Sequence, residues 1–106
     1  MAGALRVAVI GLVHEHIWTV VKQASELPYV DLIAAADPDP ESRARFGQAT
    51  GCDADSLYGD PKDLLDGESF HAVISGLLPV EHVALTELCA ERGLALLVAK
   101  PMATTL

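Results

Sequence analysis

The chain has 106 residues, room for one domain around one hydrophobic core. Its composition is globular, 51% apolar and 21% charged, with only 5% aromatic residues, so the core falls to Ala, Val, Leu and Ile. Fifteen acidic residues against seven basic ones give a formal net charge of −8, which argues against the clustered basic surface that nucleic acid requires.

Short apolar runs alternate with amphipathic stretches along the chain. Leu5–Ile10 (LRVAVI) predicts a first strand, with a turn over Gly11–Glu15. Ile17, Val20, Val21 and Ala24 then carry helical spacing through Leu27, and Pro28 stops that helix. Val30–Ala36 predicts the second strand, ending at Asp37-Pro38-Asp39-Pro40. Pro40, Glu41 and Ser42 suit the first turn of a helix that runs to about Thr50 and is closed by Gly51. Ser56–Tyr58 reads as a short third strand, and Asp60-Pro61 opens a brief helix containing Leu64 and Leu65. Ala72–Ile74 predicts the fourth strand, leaving through Ser75-Gly76-Leu77-Leu78-Pro79. A helix over Val80–Arg92 is expected to bury Val80, Ala84, Leu85, Leu88 and Cys89, with Gly93 closing it before a fifth strand over Leu94–Val98.

Strands alternating with helices indicate an α/β fold, a parallel sheet covered on both faces. Continuous apolar strands fit that burial, and right-handed crossovers leave few topologies. The expected architecture is a doubly wound, Rossmann-like sheet of order 3-2-1-4-5. Lys100–Leu106 follows the fifth strand, where Thr104 or Thr105 would cap another helix, so the chain reads as a truncated piece of a longer protein. An open sheet edge makes a homo-oligomer a candidate. No apolar run approaches the ~20 residues of a membrane helix, and Met1-Ala2-Gly3-Ala4 does not read as a signal peptide. The expectation is a cytoplasmic protein with no membrane or nucleic-acid partner.

The turn after the first strand is where chemistry is expected. A dinucleotide site usually places G-x-G-x-x-G there, and the corresponding positions are Gly11, Val13 and His16, so one glycine of three is kept. The location is right: a strand feeds a turn that feeds a helix N-terminus, whose unpaired N–H groups favour an anion. Asp37 ends the second strand, where a carboxylate bonds the adenosine ribose and repels the 2′-phosphate of NADP. No Arg follows closely, Arg43 being six positions on, so NAD is expected over NADP. The alternative for Asp37 is a simple Asp-Pro turn. His14 and His16, two positions apart, point to different sides of a helix start, and no metal site is expected. Trp18 reads as helix packing. Cys52, in a polar loop, is open to exposure, whereas Cys89 belongs to an apolar helix face; both read as structural.

Together, RVAVIG, LPYVDLIAAADPDPE, YGDPKDLLD, HAVISGLLPVEH and AERGLALLVAKPMA resemble the N-terminal NAD(P)-binding domain of the Gfo/Idh/MocA oxidoreductases, the glucose–fructose oxidoreductase and inositol dehydrogenase family. The resemblance covers essentially the whole chain. It implies that Gly11 and the turn residues Leu12, Val13, His14 and His16 meet the cofactor, that Asp37 takes the ribose, and that Leu78, Pro79 and His82 line the cleft. It further implies that Lys100, held by Pro101, stands beside the nicotinamide and the substrate hydroxyl as the catalytic group. Substrate would be held mainly by a C-terminal domain, absent here. The chain departs from the family at Ala99, where Glu is usual before Lys-Pro, and at the two replaced glycines. The implied function is the cofactor domain of an NAD-dependent oxidoreductase acting on a sugar, polyol or related hydroxyl compound. A non-catalytic nucleotide-binding or regulatory module on the same fold is the alternative.

Overall fold

The computed structural model describes residues 5–12, 15–76 and 79–98. In chain order these form β1 (Leu5–Ile10), α1 (Glu15–Ser25), β2 (Val30–Ala36), α2 (Pro40–Thr50), a single 3-10 turn (Ala54–Ser56), β3 (Leu57–Tyr58), α3 (Pro61–Gly67), β4 (Ala72–Ser75), α4 (Pro79–Glu91) and β5 (Ala95–Val98). The five strands make one parallel sheet ordered β3-β2-β1-β4-β5, the expected arrangement. Its order reverses beside β1, and in open α/β sheets the crevice at such a point is where ligands bind.

Period-two alternation along the strands, interrupted in β2 by a register shift between Leu32 and Ala34, divides the core into two layers. Val7, Val9, Leu32, Ala35, Ala72 and Ile74 face one side, where Ile17, Val21 and Ala24 of α1 and Phe46 of α2 cover them. Ala8, Ile10, Ala34, Ala36 and Val73 face the other, under Leu64 and Leu65 of α3 and Leu85 and Cys89 of α4. With so few aromatics, Phe46 is the largest fully buried side chain among the described residues, and Ala at five buried sheet positions lets the helices approach closely.

Local chemistry sets the element ends. Asp39 caps α2, its carboxylate accepting the Glu41 N–H and the Ser42 hydroxyl, and Asp60 caps α3 through the Lys62 N–H. Proline stands at the first helical position of both. α1 ends at Ser25, two residues before the expected Leu27, because Pro28 has no N–H to continue the ladder; the chain tightens through Leu27 N–H to Ala24 O at 3.1 Å. α4 buries Leu85 and Cys89, but Ala84, expected on the same face, is exposed. Residues 85 and 89 lie one turn apart, and Ala84 is rotated about 100° away from that line. Cys52 is half-buried instead of open, packed against the first layer with its thiol donating to Leu32 O at 3.2 Å. Among the described residues, no helix is long and apolar enough to cross a membrane.

Candidate functional site

The site begins where β1 ends. Gly11 has φ +92°, a left-handed conformation that only glycine adopts without strain, so the first fingerprint glycine is required by the turn. Its N–H bonds Ala36 O at 2.9 Å, tying the end of β1 to the end of β2. α1 starts at Glu15, so the helix N-terminus stands four residues beyond Gly11, at the carboxyl edge of the sheet.

Asp37 occupies the neighbouring strand end, and each of its polar groups reaches a different segment. Its N–H donates to Tyr58 O of β3 at 2.9 Å. Its carbonyl accepts Arg43 Nη1 of α2 at 2.7 Å. Oδ1 accepts the Leu12 N–H at 2.9 Å, and Oδ2 accepts the Asp39 N–H at 2.9 Å. The residue is 2% exposed, a buried carboxylate stabilised by two backbone donors. Each oxygen keeps a second lone-pair direction, so accepting from ribose hydroxyls remains within its capacity. The turn alternative is therefore included in the finding, since the Asp39 N–H contact is an Asx-type turn, and the long-range bond to Leu12 goes beyond it.

Leu12 requires a correction. Expected among the cofactor contacts, it is 1% exposed, its side chain lies in the first core layer, and its N–H is occupied by Asp37. An anion at this turn must use amides further along. His16 is exposed, so its ring turns away from the helix–sheet interface and does not wedge α1 off the sheet. Val13, His14, Leu78, Lys100 and Pro101 lie outside the described residues. Pro79 is the first residue of α4 and His82 falls in its first turn, at the same sheet edge as Gly11.

Gly76 supplies what the fingerprint lacks. A Cβ there would run into Gly11 O and would lie 3.0 and 3.1 Å from the Ile17 Cγ1 and Cδ1 atoms. The missing side chain lets the turn and α1 close on β4, the packing task usually given to the third fingerprint glycine, here held by His16. In the sequence Gly76 shows only as the exit from β4; its signal is the small Ser75-Gly76 pair at the end of a fully buried strand. Six residues of sequence separation likewise conceal that Arg43, in the first turn of α2, folds back onto the end of β2.

Trp18 packs partly against the core, as expected of a helix residue, with the Arg45 guanidinium 4.0 Å from its ring centroid. Burial holds the thiols of Cys52 and Cys89 above the ordinary cysteine range, which fits structural roles. Among the described residues, no group of three or more His, Cys, Asp or Glu is placed to hold a metal.

The positive-φ glycine, the acidic residue at the end of β2 and the close-packing glycine at β4 fit a dinucleotide. Comparison with known proteins agrees. Residues 5–106 match the oxidoreductase family with an NAD-binding Rossmann fold. The D-apiose dehydrogenase of Paraburkholderia graminis is 32% identical over 93 residues, which is 88% of this chain and 23% of that protein. Among solved structures, an oxidoreductase from Agrobacterium radiobacter in complex with NAD+, L-tartaric acid and magnesium superposes with a TM-score of 0.77 at 25% identity, covering 96% of this chain and 29% of that one. The myo-inositol 2-dehydrogenase of Lactobacillus plantarum gives 0.76 at 23% identity, covering 89% and 27%. The chain thus spans less than a third of the length of each. From fold, site and full-length family match together, the chain belongs to the Gfo/Idh/MocA oxidoreductase family and constitutes its NAD-binding Rossmann domain.

Proposed function

We propose that this chain is the cofactor domain of a longer, cytoplasmic, NAD-dependent oxidoreductase acting on a sugar, polyol or related hydroxyl compound, with substrate held mainly by a C-terminal domain. The observation that carries the reading is the Asp37 carboxylate, fixed at the end of β2 between the Gly11 turn and α2. Its remaining lone pairs would accept the adenosine ribose hydroxyls. The amides beyond Leu12, at Val13, His14 and the start of α1, would bind pyrophosphate, with His16 at the rim. Leu78, Pro79 and His82 would line the cleft beside them. The reaction class is hydride transfer at a carbinol carbon, chemistry that the nicotinamide supplies when bound. Lys100, which precedes Pro101, would take the hydroxyl proton as hydride leaves the carbinol carbon and return it to the oxygen in the reduction direction. The sugar and polyol dehydrogenases among the similar proteins support this substrate class. No nucleic-acid or membrane partner is proposed, and self-association would use the open sheet edge.

The replaced glycine at Val13 and the missing carboxylate at Ala99 favour a second reading, a binding or regulatory module without chemistry. Kinetics of the full-length protein separate the two. In NAD-coupled assays over a panel of sugars and polyols, Lys100→Met should reduce turnover by about 100-fold or more while leaving NAD affinity nearly unchanged. Absence of turnover across the panel, with NAD still bound, would establish the module instead.

A further inference from the structure

We infer that the groove between α1 and α2 is a docking surface for an acidic segment of a partner protein, which sets a carboxylate on Arg45. Trp18, Val21, Lys22 and Ser25 of α1 and Arg45 and Ala49 of α2 line a hollow of about 250 Å³. That is below the ~300 Å³ at which small-molecule sites begin, and has the scale of a few side chains. Trp18, Lys22 and Ser25 follow helical spacing on one face of α1, and Arg45 and Ala49 stand one turn apart on α2. Both helices start at the carboxyl edge of the sheet, and the groove extends along them toward their C-terminal ends. A partner seated there leaves the Gly11 and Asp37 site open.

Charge identifies the occupant. Among the described residues Arg45 has no hydrogen-bond or ion-pair partner; its guanidinium lies over the Trp18 ring, 4.0 Å from the centroid. Stacking holds the cation by its face and leaves the N–H donors of its edge for a carboxylate. The second cation, Lys22, is paired with Glu26 at 3.0 Å. Among the described residues no acid lines the groove, although the chain carries fifteen acidic residues against seven basic ones. The groove thus reverses locally the chain's charge of −8, and its complement is acidic. A second copy paired two-fold through the same groove would set Arg45 against Arg45. Val21 is buried and Trp18 partly so, an apolar floor that suits an apolar residue beside the carboxylate. Past Ser25 the chain exposes Leu27 by 40% and Tyr29 by 60%, within four residues of the groove's end. Tyr, Trp and Arg are the residues enriched where proteins meet, and this surface exceeds what a free carboxylate covers.

The test selects a displayed library of random peptides on the immobilised full-length protein, with counter-selection on its Ala49→Glu variant. Ala49 is exposed, and a carboxylate introduced there stands one turn from Arg45, where it pairs with the guanidinium and repels an acidic occupant. Peptides that survive both steps should carry Asp or Glu beside an apolar residue. In calorimetry such a peptide should bind the wild type saturably, and Arg45→Gln and Ala49→Glu should each weaken it by about 10-fold or more, the scale of one charge-assisted bond. Ala49→Gln, which matches Ala49→Glu in size without its charge, should change affinity by less than about twofold. Melting curves establish folding; should Arg45→Gln fail to fold, the contrast between the two Ala49 variants decides alone. No enriched sequence, enrichment without acidic residues, or full affinity in folded Arg45→Gln would overturn the inference. Equal losses in Ala49→Gln and Ala49→Glu would do the same. So would self-association of the wild type that Ala49→Glu abolishes in sedimentation, which would make a second copy the occupant.

Discussion

The carboxylate of Asp37 accepts the main-chain N–H of Leu12 at 2.9 Å across 25 residues of sequence, joining the turn after β1 to the end of β2. The same side chain holds the Asp39 N–H, so one buried residue fixes both the loop after β1 and the loop after β2. Its position therefore affects the fold and the ligand site together.

Asp37→Asn tests that dual role. An amide can accept one of the two N–H groups but presents its own NH2 to the other, leaving a buried donor unpaired. The expected cost is about 1–3 kcal/mol of stability, together with weaker NAD binding. Urea denaturation and calorimetry measure the two effects; unchanged stability would show that the inward bonds are unimportant. For Asp37→Ala, NAD should weaken relative to NADP, and an unchanged ratio would remove the ribose assignment.

Gly76→Ala addresses the compensating glycine. The added methyl meets a backbone oxygen, which cannot yield as a flexible side chain does, and the Ile17 side chain. Overpacking of this kind costs about 1–3 kcal/mol, and α1 should shift outward with loss of cofactor affinity. Wild-type melting and NAD affinity in this variant would contradict the close-packing role.

Acid should weaken the fold through two exposed carboxylates. The Ser42 hydroxyl bond holds Asp39 below the ordinary Asp value of 3.8, and the Arg92 guanidinium does the same for Asp66 at 2.7 Å. Groups whose pKa is lower folded than unfolded stabilise above the unfolded value, and that contribution is lost as pH falls through the folded one. Urea midpoints should therefore decline on acidification from about pH 5 toward pH 2, and less steeply in Ser42→Ala or Arg92→Gln. Identical slopes in wild type and variants would exclude these pairs as contributors.

Both thiols should be slow to react. Burial raises the pKa of Cys52 and Cys89, keeping them protonated near neutral pH, and Cys52 is also bonded to Leu32 O. Disulfide-exchange reagents at pH about 8, near the ordinary thiol pKa, should label them fully only after denaturant is added. Labelling of Cys52 at the rate of a free thiol would mean that its loop opens readily.

The sheet was legible because its signals are local. Apolar, Val- and Ala-rich runs marked β1 and β2 to the residue, and Asp-Pro junctions marked the starts of α2 and α3. The site was legible only in outline. Gly11 and Asp37 stand at sequence positions with fixed meaning, but Leu12, Gly76 and Arg43 acquire their roles from segments brought together by folding. No window containing Leu12 shows that its N–H meets a carboxylate 25 residues away. Ala84 misled for a related reason: helical spacing gives an apolar stripe, and the width of that stripe depends on the neighbour it meets.

The most direct measurement is a calorimetric titration of NAD+ into the full-length protein, repeated with Asp37→Asn. Saturable one-to-one binding that weakens markedly in the variant is the result expected. Heat of dilution alone in the wild-type protein would contradict the account, leaving a dinucleotide fold that holds no dinucleotide.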